Sequence, residues 1–337
     1  MSGGNSRNMI MSSRETFDPQ IVDIVIIGSG MAGLAAARCA QAAGRSVCIL
    51  DKGRRIGGRV STRRADGFTF NHGAQFLTAR QPDFVSACEA AQDAGALRPW
   101  QVAGREAFCG APTMRDLPAF LGEGLTIRQQ VEITAITRDD GVITLHDATG
   151  PVARGRQALV TAPAPQAARL LEPVAPELAA TARSAAYAPC WTGMYGFADR
   201  DMPDITSPIS ADSGPVGWGC WESGRPGAVA GAAALVVQAA PDWSKAELER
   251  DADPIAAALL TAWQSLTGIV LPRPTYAAAH RWRYARVVQA ADADAPRQTA
   301  EGMIAIAGDW IVGARVEDAF MAGQRAMASM LEISAGA

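Results

Sequence analysis

The sequence predicts an α/β fold: a Rossmann-type dinucleotide-binding domain carrying an inserted α+β domain built on an antiparallel sheet. Three observations lead there. A β-rich run, Ile21–Ile27, opens directly into GSGMAG, where Gly28, Gly30 and Gly33 fit the pattern G-x-G-x-x-G. A strand-then-helix pattern at the other end of the chain, residues 303–331, has the make-up of the same domain. Between the two, residues 166–297 gather aromatics among glycines and prolines, and alternating segments at 190–198 and 234–239 suggest antiparallel strands.

Taken in order, each residue of the first unit has a physical task. Gly28 permits a tight turn, Gly30 lets a pyrophosphate approach the backbone, and Gly33 lets the helix pack closely on the strand. An alanine-rich helix is expected over 31–43 with Gly44 as its C-cap. Its N-terminus offers unpaired N–H groups to phosphates, so Ser29, Met31 and Ala32 count as cofactor contacts with the glycines. A second strand, 46–50, runs into Asp51, which lies 18 residues past Gly33 and can accept both hydroxyls of a ribose. Lys52 follows, then Gly57-Gly58-Arg59, a second glycine-and-guanidinium approach to the pyrophosphate. A solvated basic loop is the structural alternative for that arginine-rich stretch.

Residues 126–162 read as β-rich, with Asp140-Gly141 as a hairpin turn and 159–162 returning to the first sheet. At the C-terminus a strand over 303–307 leads to Gly308-Asp309, and a helix opens near Arg315 and runs to about Leu331. Asp309 can hold a ribityl or phosphate-bridging hydroxyl; capping of the last helix by Asp318 is the structural alternative there.

Length and composition exclude several classes. The 337 residues suit about two domains at roughly 150 residues each. With 48% hydrophobic and 19% charged residues the chain is not predominantly disordered. Thirty-one Lys+Arg against 34 Asp+Glu leave a charge of −3, without the basic excess of a nucleic-acid binder. The six cysteines lack a C-x-x-C pair and the three histidines lack zinc spacing, so no metal is expected. No apolar run reaches the length of about 18 residues of a membrane span. Residues 1–20 are polar, lack the apolar core of a secretion signal and are expected to be a disordered tail. The resulting expectation is a reduced, cytoplasmic protein.

GSGMAG, GGR and the terminal GDW…RVEDAF…G together resemble the glutathione-reductase-type FAD proteins of the amine-oxidase-like branch, across residues 22–331. Within that branch IGGRVSTRR (56–64), NHGAQFLTAR (71–80) and HRWRYAR (280–286) are most similar to the renalases, especially the bacterial ones. Two positions depart from the family, which often has aspartate where Asn71 stands and tyrosine where Phe76 stands. The resemblance implies non-covalent FAD and an amine-oxidase/p-hydroxybenzoate-hydroxylase-like architecture. The FAD-binding domain would comprise 21–78, 120–165 and 298–337, and the substrate domain 79–119 and 166–297. By the same resemblance Gly28, Gly30, Gly33, Asp51, Gly58 and Arg59 touch the ADP part, and Val131 lies on the strand that meets the adenine through its backbone. Gly73, Ala74 and Gln75 line the flavin; Gly308, Asp309, Val316, Glu317 and Ala319 lie on its ribityl and pyrimidine side. The implied reaction is oxidation of 1,2- or 1,6-dihydro isomers of NAD(P)H to NAD(P)+, with electrons passing to O2 as hydrogen peroxide.

A dihydropyridine is already a hydride donor, because aromatisation of its ring drives the transfer. Its oxidation needs orientation more than a general base. His72, Gln75, His280 and Trp282 are therefore expected to position flavin and substrate, with acid–base work by either histidine as the alternative. Alternation in RWRY places Arg281 and Arg283 on one strand face, opposite Trp282 and Tyr284. Arg281 and Arg283, with Arg286, are candidates for pairing substrate phosphates, or they form a solvated face. Trp191, Trp218 and Tyr284 are candidates for a stacking cage, or for aromatic core packing. Two competing activities stay open: a flavin amine oxidase acting on a small amine, and an FAD-binding protein without turnover. Amine oxidases of this branch usually place a lysine late in the substrate domain; here no lysine follows Lys245, and no cysteine for covalent flavin attachment follows Cys220. Oligomeric state is left open.

Overall fold

The computed structural model describes residues 20–198, 208–228, 231 and 233–336. Apart from Gln20, the tail expected at 1–20 lies outside the described residues. Along the chain the elements run β1 (Ile21–Ile27), α1 (Met31–Ala42), β2 (Val47–Asp51), β3 (Arg63–Ala65), β4 (Phe68–Phe70), α2 (Pro82–Asp93), β5 (Leu97–Val102), β6 (Arg105–Gly110), α3 (Asp116–Leu121) and β7 (Ile127–Gln129). There follow β8 (Ala135–Asp139), β9 (Val142–Asp147), β10 (Gly150–Val160), α4 (Ala164–Leu171), α5 (Pro176–Arg183), β11 (Ala186–Phe197), β12 (Ile209–Ser210) and β13 (Val216–Trp221). The last are β14 (Ala233–Ala239), α6 (Pro241–Ala246), α7 (Ala252–Thr267), β15 (Tyr276–Gln289), β16 (Ile304–Ile306) and α8 (Val316–Gly336).

Two compact units emerge. The first takes the chain up to Gly58, then Pro118–Ala186 and everything from Gln289; the second takes Arg59–Leu117 and Tyr187–Val288. Its seven-stranded sheet makes the first unit a Rossmann-type layer, ordered β7-β2-β1-β10-β9-β8, with β16 also on β10. The strands β7, β2, β1, β10 and β16 are parallel. Early in β10 the partner is antiparallel β9; its last residues, Ala158, Leu159 and Val160, pair instead with β16. In β1, Ile24, Val25 and Ile26 are fully buried, as a parallel strand covered on both faces requires.

The local signals explain the boundaries. Helix α1 ends in a Schellman motif: Arg45 N–H bonds Ala40 O, Gly44 N–H bonds Gln41 O, and Gly44 is left-handed at φ 73°. Asp140 (φ 46°) and Gly141 (φ 72°) form the primed turn that joins β8 to β9. Strand β2 reaches Asp51 because that residue still pairs with Gln129 of β7, one residue later than the apolar run suggests. Helix α8 continues past Leu331 to Gly336, since no breaker interrupts it sooner. It crosses α1 at Gly323, where an added Cβ would lie 2.0 Å from Ala32 O. Only glycine allows that approach.

The second unit is built on a five-stranded antiparallel sheet, β12-β13-β14-β11-β15. One face packs on α7: Trp191, Tyr195, Phe197 and Trp221 meet Ile255, Leu259 and Trp263. Gly219 makes room there, since its Cβ would lie 2.2 Å from the Trp263 ring. The other face packs Met194, Ala234 and Val236 against Phe68 and Phe70 of the β3–β4 hairpin. That packing is why residues 59–78, expected in the first domain, lie in the second unit. Helices α4 and α5, expected in the substrate domain, lie in the first.

Candidate active site

In the first unit the loops at the carboxyl ends of β1, β2, β10 and β16 gather the predicted residues, which is where open parallel sheets bind ligands. The three glycines of GSGMAG have three different reasons to be glycine. Gly28 has φ 109°, and its Cβ would meet Thr161 Oγ1 at 2.6 Å. A Cβ on Gly33 would lie 1.9 Å from Gly28 O, so the helix could not close on the strand. At Gly30 a Cβ would meet nothing within 4 Å: the backbone there faces open space. Gly30 is also the N-cap of α1 and supplies no side-chain cap, which leaves the first-turn N–H groups without the usual side-chain acceptor.

Asp51 organises the rim. Its Oδ2 accepts the Ser29 N–H at 2.6 Å and the Ser29 hydroxyl at 2.8 Å, and its Oδ1 accepts the Gly53 N–H at 2.6 Å. Gln129 donates to Ser29 Oγ at 3.2 Å, and Gly57 N–H bonds Ser29 O at 2.8 Å, which draws the second glycine pair onto the first. Thr161 Oγ1 bonds Ile27 O at 2.8 Å and braces the Gly28 turn. Neither Gln129 nor Thr161 was expected from sequence; Thr161, the first residue past β10, carries no motif of its own. Lys52 lies 3.5 Å from Glu132 in an exposed pair. Val131 sits just beyond β7 rather than on a strand, with its N–H given to Asp51 O at 2.9 Å. That corrects the strand placement, because Gln130 turns the chain at φ 62°.

At the C-terminal end of this unit Gly308 takes φ 154°, and Trp310 Nε1 donates to Ala162 O at 3.1 Å. Asp309 is buried and accepts the Trp310 N–H at 3.0 Å; Glu317 is buried in the first turn of α8, between Val316 and Ala319. Asp318 accepts the Arg315 N–H at 3.0 Å, so the capping expected as an alternative is present.

In the second unit residues 71–75 run buried without helix or strand geometry. Gly73 passes so close to residues 59–61 that a Cβ would lie 2.0 Å from Arg59 O, and Ala74 N–H bonds that oxygen at 2.9 Å. The carbonyls are capped in turn: Asn71 O by Gln75 Nε2 at 2.6 Å, His72 O by Trp282 Nε1 at 2.8 Å, and Gly73 O by Gln75 Nε2 at 2.9 Å and Gln238 Nε2 at 2.7 Å. Gln75 Oε1 accepts from Arg225, which uses its whole amide. The Gln75 side chain thus holds its own segment in place. Asn71 Nδ2 donates to Glu222 at 2.7 Å while its Oδ1 accepts Thr62 Oγ1 at 2.7 Å and the Met114 N–H at 2.8 Å. Aspartate here would set two carboxylates at hydrogen-bond distance, which gives Asn71 its reason.

His72, His280 and Trp282 form one aromatic cluster. The His72 ring stacks on Trp282 at 5.3 Å, and His280 meets Trp282 edge-on at 4.4 Å and His72 at 5.1 Å. Burial, with His280 and Arg63 beside it, pushes the His72 pKa down to about 3; burial and Arg63 push His280 down to about 4. Both imidazoles are neutral at pH 7. Tyr284 lies on the same face against Tyr187 at 5.7 Å, and Trp218 stands 5.7 Å from the Arg225 guanidinium. Arg59 contacts the Tyr284 and Ala285 carbonyls at 3.4 and 3.3 Å.

The alternation of β15 holds, and three candidates lie on the sheet face away from the histidines. Arg281 and Arg283 point to the opposite face, where both pair with Glu249 at 3.1 and 2.7 Å. Trp191 is there too, 2% exposed in the α7 core with Nε1 on Glu247 O at 3.0 Å and Arg281 over its ring. The phosphate-pairing and cage roles given to these residues are corrected to a surface ion pair and core packing.

Among known proteins, residues 26–90 match the NAD(P)-binding Rossmann-like domain model, and residues 86–331 match the model for flavin containing amine oxidoreductases. The chain belongs to the flavin-containing amine oxidoreductases. The cofactor of that family is FAD, and the stretches matched span only about an eighth of the length of the curated relatives. The chain is 39% identical over 64 residues to a putrescine oxidase from Kocuria rosea, covering 19% of this chain and 13% of that protein. It is likewise 41% identical over 68 residues to an L-amino-acid oxidase from Notechis scutatus scutatus, covering 20% of this chain and 13% of that protein. Among solved structures, a putative protoporphyrinogen oxidase from Exiguobacterium sp. 255-15 has a TM-score of 0.74 at 17% identity, covering 94% of this chain and 100% of that one. Wild-type putrescine oxidase bound to putrescine has a TM-score of 0.72 at 14% identity, covering 93% and 99%. At such identities the likeness shows the fold.

The glycine turn offers a direct check. Gly30→Ala should leave the apoprotein's stability within about 1 kcal/mol of wild type, the ordinary helix-propensity range, yet weaken FAD binding. Gly33→Ala should destabilise the apoprotein itself; chemical denaturation with and without FAD separates the two, and equal effects on the apoprotein would contradict this assignment. The neutral histidines give a second check. Below about pH 6.5 the unfolded chain takes up protons that the folded imidazoles refuse, so stability falls as pH drops towards 4. Each histidine should cost on the order of 2 kcal/mol between pH 7 and 5, about twice that for the pair, and His72→Asn or His280→Asn should flatten the melting-temperature profile.

Proposed function

We propose that the protein takes a hydride from dihydropyridine isomers of NAD(P)H, 1,2- or 1,6-dihydro-NAD(P), to give NAD(P)+, with O2 as the final electron acceptor. FAD, when bound, supplies a two-electron acceptor that O2 can reoxidise with release of hydrogen peroxide. The observation that carries the reading is the neutral aromatic cluster His72–His280–Trp282, which holds no group poised to take a proton at neutral pH. A dihydropyridine needs none: loss of hydride aromatises its ring without release of a heteroatom proton, so binding and orientation suffice. A flat, partly apolar ring suits aromatic neighbours.

In the first unit Gly28, Ser29, Gly30, Met31, Ala32, Gly33 and Asp51 would hold the ADP part of FAD. Phosphates would meet the α1 N-terminus over Gly30, and Asp51 with Ser29 would take the ribose hydroxyls. Lys52, Gly58 and Val131 flank that site. Gly308, Asp309, Val316, Glu317 and Ala319 would face the ribityl and pyrimidine end. In the second unit the Gly73–Ala74 backbone would line the flavin ring, with Arg59 adding donors for the pyrophosphate. Trp218 and Tyr284 stand on the same sheet face as His280 and Trp282 and would wall the substrate.

The second reading is oxidation of a small amine, favoured by the family match and by the putrescine oxidase likeness. Against it, the one lysine of the second unit's sequence, Lys245, is exposed on α6, on the far side of the sheet from the histidines. Stopped-flow mixing of the yellow holoprotein with dihydronicotinamide isomers and with a panel of amines separates the readings. The isomers should bleach the flavin, and the limiting rate should change less than about threefold between roughly pH 6.5 and 8.5, because no histidine-like base titrates. Denaturation should release free FAD. Bleaching by amines alone would make the protein an amine oxidase; bleaching by neither would favour a binding protein without turnover.

A further inference from the structure

We propose that Glu222 and Arg225 are positioning residues that fix the catalytic conformation of residues 71–75 by gripping both ends of that segment. The inference rests on the reading that this segment lines the flavin. Both residues come from the short turn directly after β13, about 150 positions along the chain from the segment they hold. Glu222 Oε1 accepts the Asn71 backbone N–H at 2.7 Å, and its Oε2 accepts Asn71 Nδ2 at 2.7 Å. The same Oε2 lies 3.0 Å from Arg225 Nε. At the other end Arg225 donates to Gln75 O at 2.6 Å and to Gln75 Oε1. Its guanidinium is flanked by the Trp100 ring at 5.1 Å and the Trp218 ring at 5.7 Å, and the residue is 5% exposed.

The direction of these bonds specifies the residue types. Asn71 presents two donors, so position 222 must present two acceptors, which an ionised carboxylate does and an amide does not. Gln75 presents a backbone carbonyl and its Oε1, so position 225 must present a planar fork of donors, which guanidinium does and ammonium does not. With Oε1 held by Arg225, the Gln75 amide is oriented so that both its N–H groups reach Asn71 O and Gly73 O. The pair thereby sets the direction of the His72 ring and the Gly73–Ala74 backbone. A buried ion pair adds little net stability over apolar packing of the same volume, so geometry rather than stability is its contribution here.

The test is hydrogen–deuterium exchange on the FAD-loaded protein, comparing wild type with Glu222→Gln and Arg225→Lys, together with the visible spectrum of the bound flavin. Exchange over 70–78 should rise about tenfold or more in either variant, while peptides over β1 and α1 stay as in wild type. The double variant should be no worse than the worse single, because the two residues act as a unit. The bound flavin's absorption should change in shape. Unchanged exchange over 70–78, exchange raised equally across the whole chain, or an unchanged flavin spectrum would each overturn the proposal. Should a variant fail to accumulate, wild-type exchange decides alone: the amides of 71–75 should open only with global unfolding, and loop-like exchange there overturns the proposal. A colourless wild type would fault the FAD reading instead, and the exchange of 70–78 would still report on the clamp.

Discussion

From Asn71 to Gln75 the second unit buries a stretch of backbone that belongs to no helix and no strand, and each of its polar groups must be paired inside the protein. Much of the surrounding sequence answers that constraint. Trp282, Gln238, Gln75 and Arg225 cap its carbonyls, Glu222 takes the Asn71 donors, and the close pass over Arg59 O permits only glycine at 73. Losing one cap would leave a buried carbonyl unpaired, at about 1–3 kcal/mol. The five-stranded sheet supplies the platform: Gln238 and Trp282 reach the segment from β14 and β15, and the packing of Phe68 and Phe70 on that sheet delivers the chain to it.

The first unit meets a different constraint, the approach of backbone to backbone. Gly33 against Gly28 O and Gly323 against Ala32 O bring strand, first helix and last helix within reach of one another. Residues from the two ends of the chain thus come to one edge of a single sheet, where Asp51, Ser29 and the open backbone at Gly30 stand together. The family match agrees with that arrangement: a flavin cofactor bound at this rim would use both the acidic acceptor and the uncapped helix start.

Much of the first unit was legible in the sequence because its signals are local. Glycine spacing, a β-rich run, an alanine-rich helix and an acid after the second strand each constrain their own neighbourhood, and the strand Ile21–Ile27, the turn at Asp140-Gly141 and the final strand and helix appear where those signals lie. The alternation in RWRY was legible too, yet the face that meets the histidines depends on what packs against the sheet, so the sequence left Arg281 and Arg283 open between phosphate pairing and the solvated face that they occupy. Glu222, Arg225 and Gln238 gave weaker signals: polar side chains inside apolar, aromatic surroundings, which mark buried partners without saying of what. Their partners lie 150 to 165 residues away, beyond the reach of periodicity or spacing.

The account's central claim is that a neutral, base-free aromatic site suffices for hydride removal from a dihydropyridine. The most direct test is the anaerobic limiting rate of flavin reduction measured with the reacting carbon deuterated, and again in heavy water. The account predicts a normal primary isotope effect on the carbon and no solvent isotope effect, since no proton moves with the hydride. A substantial solvent isotope effect would place a proton transfer in the same step and contradict it.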